Sequence, residues 1–251
     1  MLTNPTIDRL ETLRFKGMSI AFQEQMQTPD IEELSFEERL GLLIDREMAY
    51  RHNRRMQTRL RKAKLRQNAS VEDIDYRHPR GLDKSVMVSL STCQWIRDHQ
   101  NLIITGPTGV GKTYLACALA QKACRDGYTA LYCRLPRLLQ ELTLAKGDGS
   151  YAKRLKEFAK TNLLLIDDYG LAVLDVEQRH DLLEILEDRH GIQSTLVTSQ
   201  LPVDHWHEII GDATLADAIL DRLVHNAHRI TLKGESMRKA KMSLTKKEVT
   251  G

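Results

Sequence analysis

One eight-residue stretch, GPTGVGKT at Gly106–Thr113, limits what this chain can become more than any other feature. It satisfies GxxxxGK[ST] at every position, follows the apolar run Leu102–Thr105 and precedes a helical pattern from Tyr114. Strand, glycine loop and helix in that order form a phosphate-binding loop. Gly106, Gly109 and Gly111 let backbone N–H groups turn inward, with Pro107, Thr108 and Val110 completing the loop. The helix start at Lys112, Thr113 and Tyr114 adds partial positive charge. Lys112 is predicted to reach the β- and γ-phosphates of ATP, and the Thr113 hydroxyl to hold Mg²⁺.

A second motif, LLLIDD at Leu163–Asp168, supplies a buried strand ending in two carboxylates. Ligands bind at that end of parallel strands. Asp167 is the expected Mg²⁺ ligand, through water, and Asp168 the group that orients or deprotonates an attacking water. A third strand ends in VTSQ, offering Thr198, Ser199 and Gln200 as candidates to sense the γ-phosphate.

Around these motifs, apolar runs alternate with helical segments. Strands are expected at Leu102–Thr105, Thr129–Cys133, Leu163–Ile166, Thr195–Thr198 and Arg229–Leu232. Helices are expected at Tyr114–Arg125, Arg137–Lys146, Glu177–Arg189 and Leu215–His225, with Gly127 and Gly191 at helix ends. This alternation predicts an α/β fold whose five-stranded parallel sheet is covered on both faces.

The first 70 residues have a different texture. Apolar residues fall at helical spacing (Ile7, Leu10, Leu13, Met18, Ala21 and Phe22, then Phe36, Leu40, Leu43, Ile44, Met48, Met56, Leu60 and Ala63). Ser35 and Glu38 form a capping box, while Gly17 and Pro29 read as punctuation. The expected organisation is a small all-helical domain over 1–70, an ATPase domain over 71–235 and a basic, flexible tail over 236–251. The polar stretch Asn68–Lys84 reads as a linker.

The chain has 251 residues, 41% hydrophobic and 28% charged, with no apolar run of about eighteen residues. It therefore reads as a globular protein without a membrane span, and the absence of an apolar leader predicts a cytoplasmic location. Cys93, Cys117, Cys124 and Cys133 lack metal-site spacing and are expected as small core hydrophobes. Net charge is only +3, but nine Arg or Lys against one Glu lie between Arg46 and Arg66. Arg51, Arg54, Arg55, Arg59, Arg61, Lys62, Lys64 and Arg66 are the expected contacts to duplex DNA. Aromatic residues are 5%, and neither Trp95 nor Trp206 lies in this stretch. That favours backbone contact with little sequence preference over base stacking.

With these elements placed, the chain resembles the IstB family of insertion-sequence transposition helper ATPases, which is similar to helicase loaders of the DnaC type. The resemblance runs through LETLRFKGMSIAFQEQ, RLRKAKLRQNASVEDIDY, WIRDHQNLIITGPTGVGKTYLA, LLLIDDYG, TLVTSQLP and AILDRLVHNAHRITLKGESMRK. It implies an AAA+ core with ATP shared between subunits of a homo-oligomer, and a cognate transposase as partner. A replicative helicase loader is the alternative reading. Arg222 in DRL matches the family's arginine finger, whereas the residues alone equally suit pairing with Asp217 or Asp221. Gln200 takes a sensor position more often held by Asn, and Asp168 one more often held by Glu, so slow hydrolysis is expected. No dedicated helical lid is expected beyond Leu232.

Overall fold

The computed structural model describes residues 5–237. The chain divides into two compact units, Met1–Thr58 and Arg59–Gly251. Residues 238–251, most of the expected basic tail, lie outside the described residues.

The first unit holds α1 (Pro5–Thr12), α2 (Lys16–Gln27) and the start of α3 (Phe36–Ala63). The capping box forms: Ser35 N–H donates to Glu38 Oε2 at 2.8 Å, and Ser35 Oγ accepts from Glu38 N–H at 3.3 Å. Gly17 lies inside α2 rather than breaking the chain. A Cβ there would meet Glu47 Cα at 2.6 Å and the Arg46 carbonyl oxygen at 2.7 Å, so α2 and α3 touch backbone to backbone. Buried Glu47 fastens this crossing, accepting from Met18 N–H at 3.1 Å and from Arg51 Nε at 2.6 Å. Gly17→Ala should therefore cost about 1–3 kcal/mol by overpacking. An earlier urea transition would register that cost, and a midpoint equal to the parent's would refute the close packing. The apolar stripe on α3 shows that periodicity found the helix without finding burial. Phe36, Ile44 and Met48 remain 70%, 46% and 66% exposed.

In the second unit, five parallel strands run in the order β2-β3-β4-β1-β5. They are β1 (Asn101–Thr105), β2 (Ala130–Arg134), β3 (Leu163–Tyr169), β4 (Ser194–Ser199) and β5 (Ala227–Thr231). Alternate strand residues feed two cores. Leu102, Ile104, Leu165 and Leu196 pack with α4 (Lys84–Ser91), α5 (Gln94–Arg97) and α6 (Lys112–Arg125). Ile103, Leu164, Ile166 and Val197 pack with the helices of the other face. These are α7 (Leu135–Asp148), α8 (Tyr151–Lys160), α9 (Val176–Glu187), α10 (Trp206–Ile210) and α11 (Ala213–Val224). With both faces covered, central strands must be apolar throughout, as Leu163–Ile166 are. Cys117 and Cys124 are buried on α6 as core residues, and all four thiols are free.

Three differences from the sequence reading matter. Helices α4, α5, α8 and α10 were not anticipated, because each is ten residues or fewer. Asn68–Lys84 is no loose linker: Ala69, Ile74 and Arg80 are buried in this unit. The chain also does not leave the sheet after β5. Leu232 N–H donates to the Thr105 carbonyl at 2.8 Å, Lys233 N–H to that of Arg80 at 2.9 Å, and Met237 N–H to that of Gly109 at 3.0 Å. No described helix is long and apolar enough to cross a membrane.

Candidate nucleotide site

The loop between β1 and α6 has the backbone that its glycines allow. Gly109 and Gly111 sit at φ +87° and +97°, where a side chain is strained. A Cβ on Gly109 would also strike Ser236, and one on Gly111 would lie 2.5 Å from Arg80 Nη1. Gly106 is closed in by the Leu232 carbonyl, 2.4 Å from where its Cβ would be. Lys112 Nζ donates to the carbonyls of Gly106 at 2.7 Å and Pro107 at 2.8 Å, so its ammonium is held at the mouth of the loop.

Thr113 Oγ1 lies 3.0 and 3.2 Å from the two oxygens of Asp167, which comes from the end of β3. Asp167 is fully buried and also accepts from Tyr132 OH at 2.7 Å and from Thr198 Oγ1. Burial, and then that bond to Asp167, push the Tyr132 phenol up, keeping it a donor. The β3–β4 register shifts between Ile166 and Tyr169. Asp168 falls in that irregularity at φ +63°, with Arg134 Nε 2.7 Å from its Oδ2. Arg66 approaches both acids, its Nη1 being 3.7 Å from Asp167 Oδ2 and 3.8 Å from Asp168 Oδ2.

The three sensing candidates separate. Thr198 bonds Asp167, and Ser199 spends its hydroxyl on the Tyr169 carbonyl at 2.8 Å and Leu201 N–H at 3.1 Å. Gln200 Oε1 accepts from Thr108 Oγ1 at 2.7 Å, at the tip of the phosphate loop. On the loop's other side lies a cavity of about 400 Å³ lined by Gln67, Asp73, Asp75, Arg80, Tyr114 and Met237, among others. Arg80 is buried, donates to the carbonyls of Val110 at 2.9 Å and Asp75 at 3.0 Å, and leaves its Nε unpartnered. Burial lowers its pKa.

Lys112, Thr113, Asp167, Asp168, Thr198 and Gln200 thus converge, while Arg222 does not join them. Its α11 packs beside the start of β1, where Asn101 Nδ2 donates to the Arg222 carbonyl at 2.8 Å. The guanidinium grips Glu187 (Nε to Oε2 2.5 Å, Nη2 to Oε1 3.3 Å) and lies 3.4 Å from Asp221. Five-residue β1 sets that point roughly 13 Å from the phosphate loop. Among the basic residues, Arg51, Arg54, Arg55, Arg61, Lys62, Lys64 and Arg66 are exposed and Arg59 is half-buried. Arg51 grips Glu47, Arg59 Nε donates to the Cys124 carbonyl at 2.8 Å, and Arg66 faces the acid pair. Sequence reasoning missed Arg80, Tyr132 and Arg134, and gave Arg66 only to DNA. No local pattern marks any of them, since each reaches the site through the fold.

The residues fit a magnesium nucleotide. Thr113 and Asp167 present hard oxygen donors to one point, the donor set Mg²⁺ prefers, beside a loop of inward-turning amides. A phosphate loop after β1, an acid pair at the end of β3 in the same sheet and the order β2-β3-β4-β1-β5 together define an AAA+ P-loop core. The fold is shared with DnaI (TM-score 0.57, 22% identity, covering 66% of this chain and 91% of that one). It is shared equally with the DnaC helicase loader (TM-score 0.56, 20% identity, 68% and 100% covered).

Residues 8–245 match the family described as IstB-like ATP binding protein. An insertion sequence ATP-binding protein of Sinorhizobium fredii, y4pL, is 55% identical over 239 residues, covering 95% of this chain and 98% of that protein. The insertion sequence IS21 ATP-binding protein of Pseudomonas aeruginosa is 32% identical, with 91% and 86% covered. The chain belongs to this IstB-like family of insertion-sequence ATP-binding proteins.

Proposed function

We propose that the protein is a Mg²⁺-dependent ATPase that assembles on duplex DNA and assists a transposase in choosing or preparing its target. Hydrolysis would control the lifetime of that assembly. The observation carrying the ATPase reading is the meeting of Thr113 with Asp167, far apart in sequence, beside the Lys112 ammonium. Bound Mg²⁺ would supply positive charge to the β- and γ-phosphates. Thr113 and Asp167 would hold it, Lys112 would turn from its carbonyls to the phosphate oxygens, and Asp168 would orient the water and accept its proton. Gln200, through Thr108, would register what sits at the loop tip.

Arg222 supports a site shared between subunits. It lies too far from its own phosphate loop to serve it, yet it is held as a fork near the surface by Glu187. The exposed cations Arg54, Arg55, Arg61, Lys62 and Lys64 support DNA backbone contact, with Arg51, Arg59 and Arg66 as further contacts. The insertion-sequence names of the relatives support transposition over helicase loading.

Lys112→Ala tests the core of this reading. Losing a charge-assisted contact worth about 1.5–3 kcal/mol should weaken ATP binding at least tenfold. It should also abolish the ATP-dependent rise in light scattering with duplex DNA. Unchanged affinity for a fluorescent ATP analogue would refute the phosphate-loop assignment.

A further inference from the structure

Beside the acid pair, at the exposed edge formed by β2, lies a second cavity of about 350 Å³. Its walls include Lys64, Arg66, Arg134, Arg137 and Arg154, with Glu141 as the one acid among the lining residues. Glu141 serves both Arg137, at 3.3 Å, and Arg154, which also meets Glu157 at 2.8 Å. Arg134 is answered by Asp168. Lys64, just past the end of α3 in a left-handed conformation, is exposed. Arg66, 45% exposed at its side chain, stands between the cavity and the carboxylates.

That position gives Arg66 two incompatible partners. Its Nη1 lies 3.7 Å from Asp167 Oδ2, an oxygen that Thr113 also touches at 3.2 Å. A divalent cation held by Thr113 and Asp167 would place two positive charges within a few ångströms of the guanidinium, where repulsion is strong. Cation and guanidinium therefore compete for Asp167 and Asp168. A displaced Arg66 has the cavity beside it, already short of negative charge. With a metal engaging the acid pair, Arg66 and Arg134 would lose carboxylate partners while Lys64 is exposed, a setting that suits a phosphate.

We infer that this cavity is a phosphate site for the DNA backbone, and that Arg66 serves it and the carboxylate pair in alternation. The inference rests on the DNA reading above and gives it a point of contact with the nucleotide site. Binding of magnesium nucleotide sends Arg66 toward DNA, and a DNA phosphate that captures Arg66 opens Asp167 to the metal. The coupling is reciprocal, as linkage requires. Arg66 is thus a positioning residue joining two sites rather than one more contact in a basic row.

The test uses the full chain, a fluorescein-labelled duplex and a slowly hydrolysed ATP analogue with Mg²⁺. Anisotropy should show the parent binding duplex at least about fivefold more tightly with the analogue than without it. In Arg66→Gln that ratio should fall to near one, and the salt dependence should lose about one phosphate contact. The double variant Lys64→Gln, Arg137→Gln should bind duplex more weakly and show a reduced ratio. Without DNA, Arg66→Gln should bind the magnesium analogue more tightly than the parent, because a competitor is gone. A merely structural Arg66 predicts weaker binding instead. A parent that binds duplex, with a variant that keeps the full ratio or binds magnesium nucleotide less well, would overturn this inference alone. A parent indifferent to duplex would overturn the DNA reading and this inference with it.

Discussion

An Arg222→Ala protein should bind ATP like the parent and hydrolyse it about 10³–10⁵-fold more slowly. The guanidinium sits on α11 beside the start of β1, whereas the phosphates of its own ATP would lie past the other end of that strand. Losing it leaves the local phosphate loop untouched, so ground-state binding survives. On the proposed shared site, what would disappear is fixed positive charge delivered to a neighbour's γ-phosphate as charge shifts in the transition state. Glu187 is the only carboxylate on another element gripping Arg222 among the described residues, and it is 56% exposed at its side chain. The pair can therefore open at little cost, because water can replace each partner. Mixing Arg222→Ala with Lys112→Ala makes the argument decisive. One variant keeps a working phosphate loop and the other a working arginine, so mixed assemblies contain some complete sites. Turnover should rise above that of either variant alone. Absence of rescue at every ratio, with mixed assemblies formed, would count against a site shared between subunits.

Asp168→Asn should leave ATP affinity near the parent value and reduce turnover about 10²–10⁴-fold, the usual worth of a positioned general base. The substitution is mild in shape. An amide oxygen can still accept from Arg134 Nε, now 2.7 Å from the carboxylate, so the irregular end of β3 should survive. Asp167 keeps its bonds from Tyr132 and Thr113 and remains available for metal. What is lost is the negative charge facing Arg134 and Arg66, and with it the capacity to take a proton. If hydrolysis ends the DNA-bound state, complexes of this variant with duplex and ATP should persist longer than the parent's. Faster release would contradict hydrolysis as the timer, and undiminished turnover would remove Asp168 from the chemistry.

The sequence revealed the parts of this site whose chemistry dictates residue type at short range. Gly109 and Gly111 adopt backbone angles that few other residues accept, so a phosphate loop must write itself as glycines. Leu163–Ile166 is apolar throughout because both of its faces are covered, which marks where Asp167 and Asp168 emerge. Strand ends were legible to within three residues. Arg80, Tyr132 and Arg134 could not be found this way. Each reaches the site from a different part of the fold, and an isolated polar residue carries no period. Asn68–Lys84 has the composition of a connector, although its Asp73, Asp75 and Arg80 line the cavity beside the phosphate loop. The stripe from Phe36 to Met48 failed differently: helical spacing reports a face, not what covers it.

The backbone bonds from Leu232, Lys233 and Met237 tie the exit of β5 to the rim of the phosphate loop and to Arg80. A chain cut after Leu232 would still complete all five strands and would pass most assays of folding. It would nevertheless lack the bonds to Gly109 and Arg80, and the wall that Ser236 raises against Gly109. Nucleotide affinity should therefore be sensitive to shortening at a place where sheet integrity is not, and intact secondary structure would be a misleading guide to whether a trimmed protein remains competent.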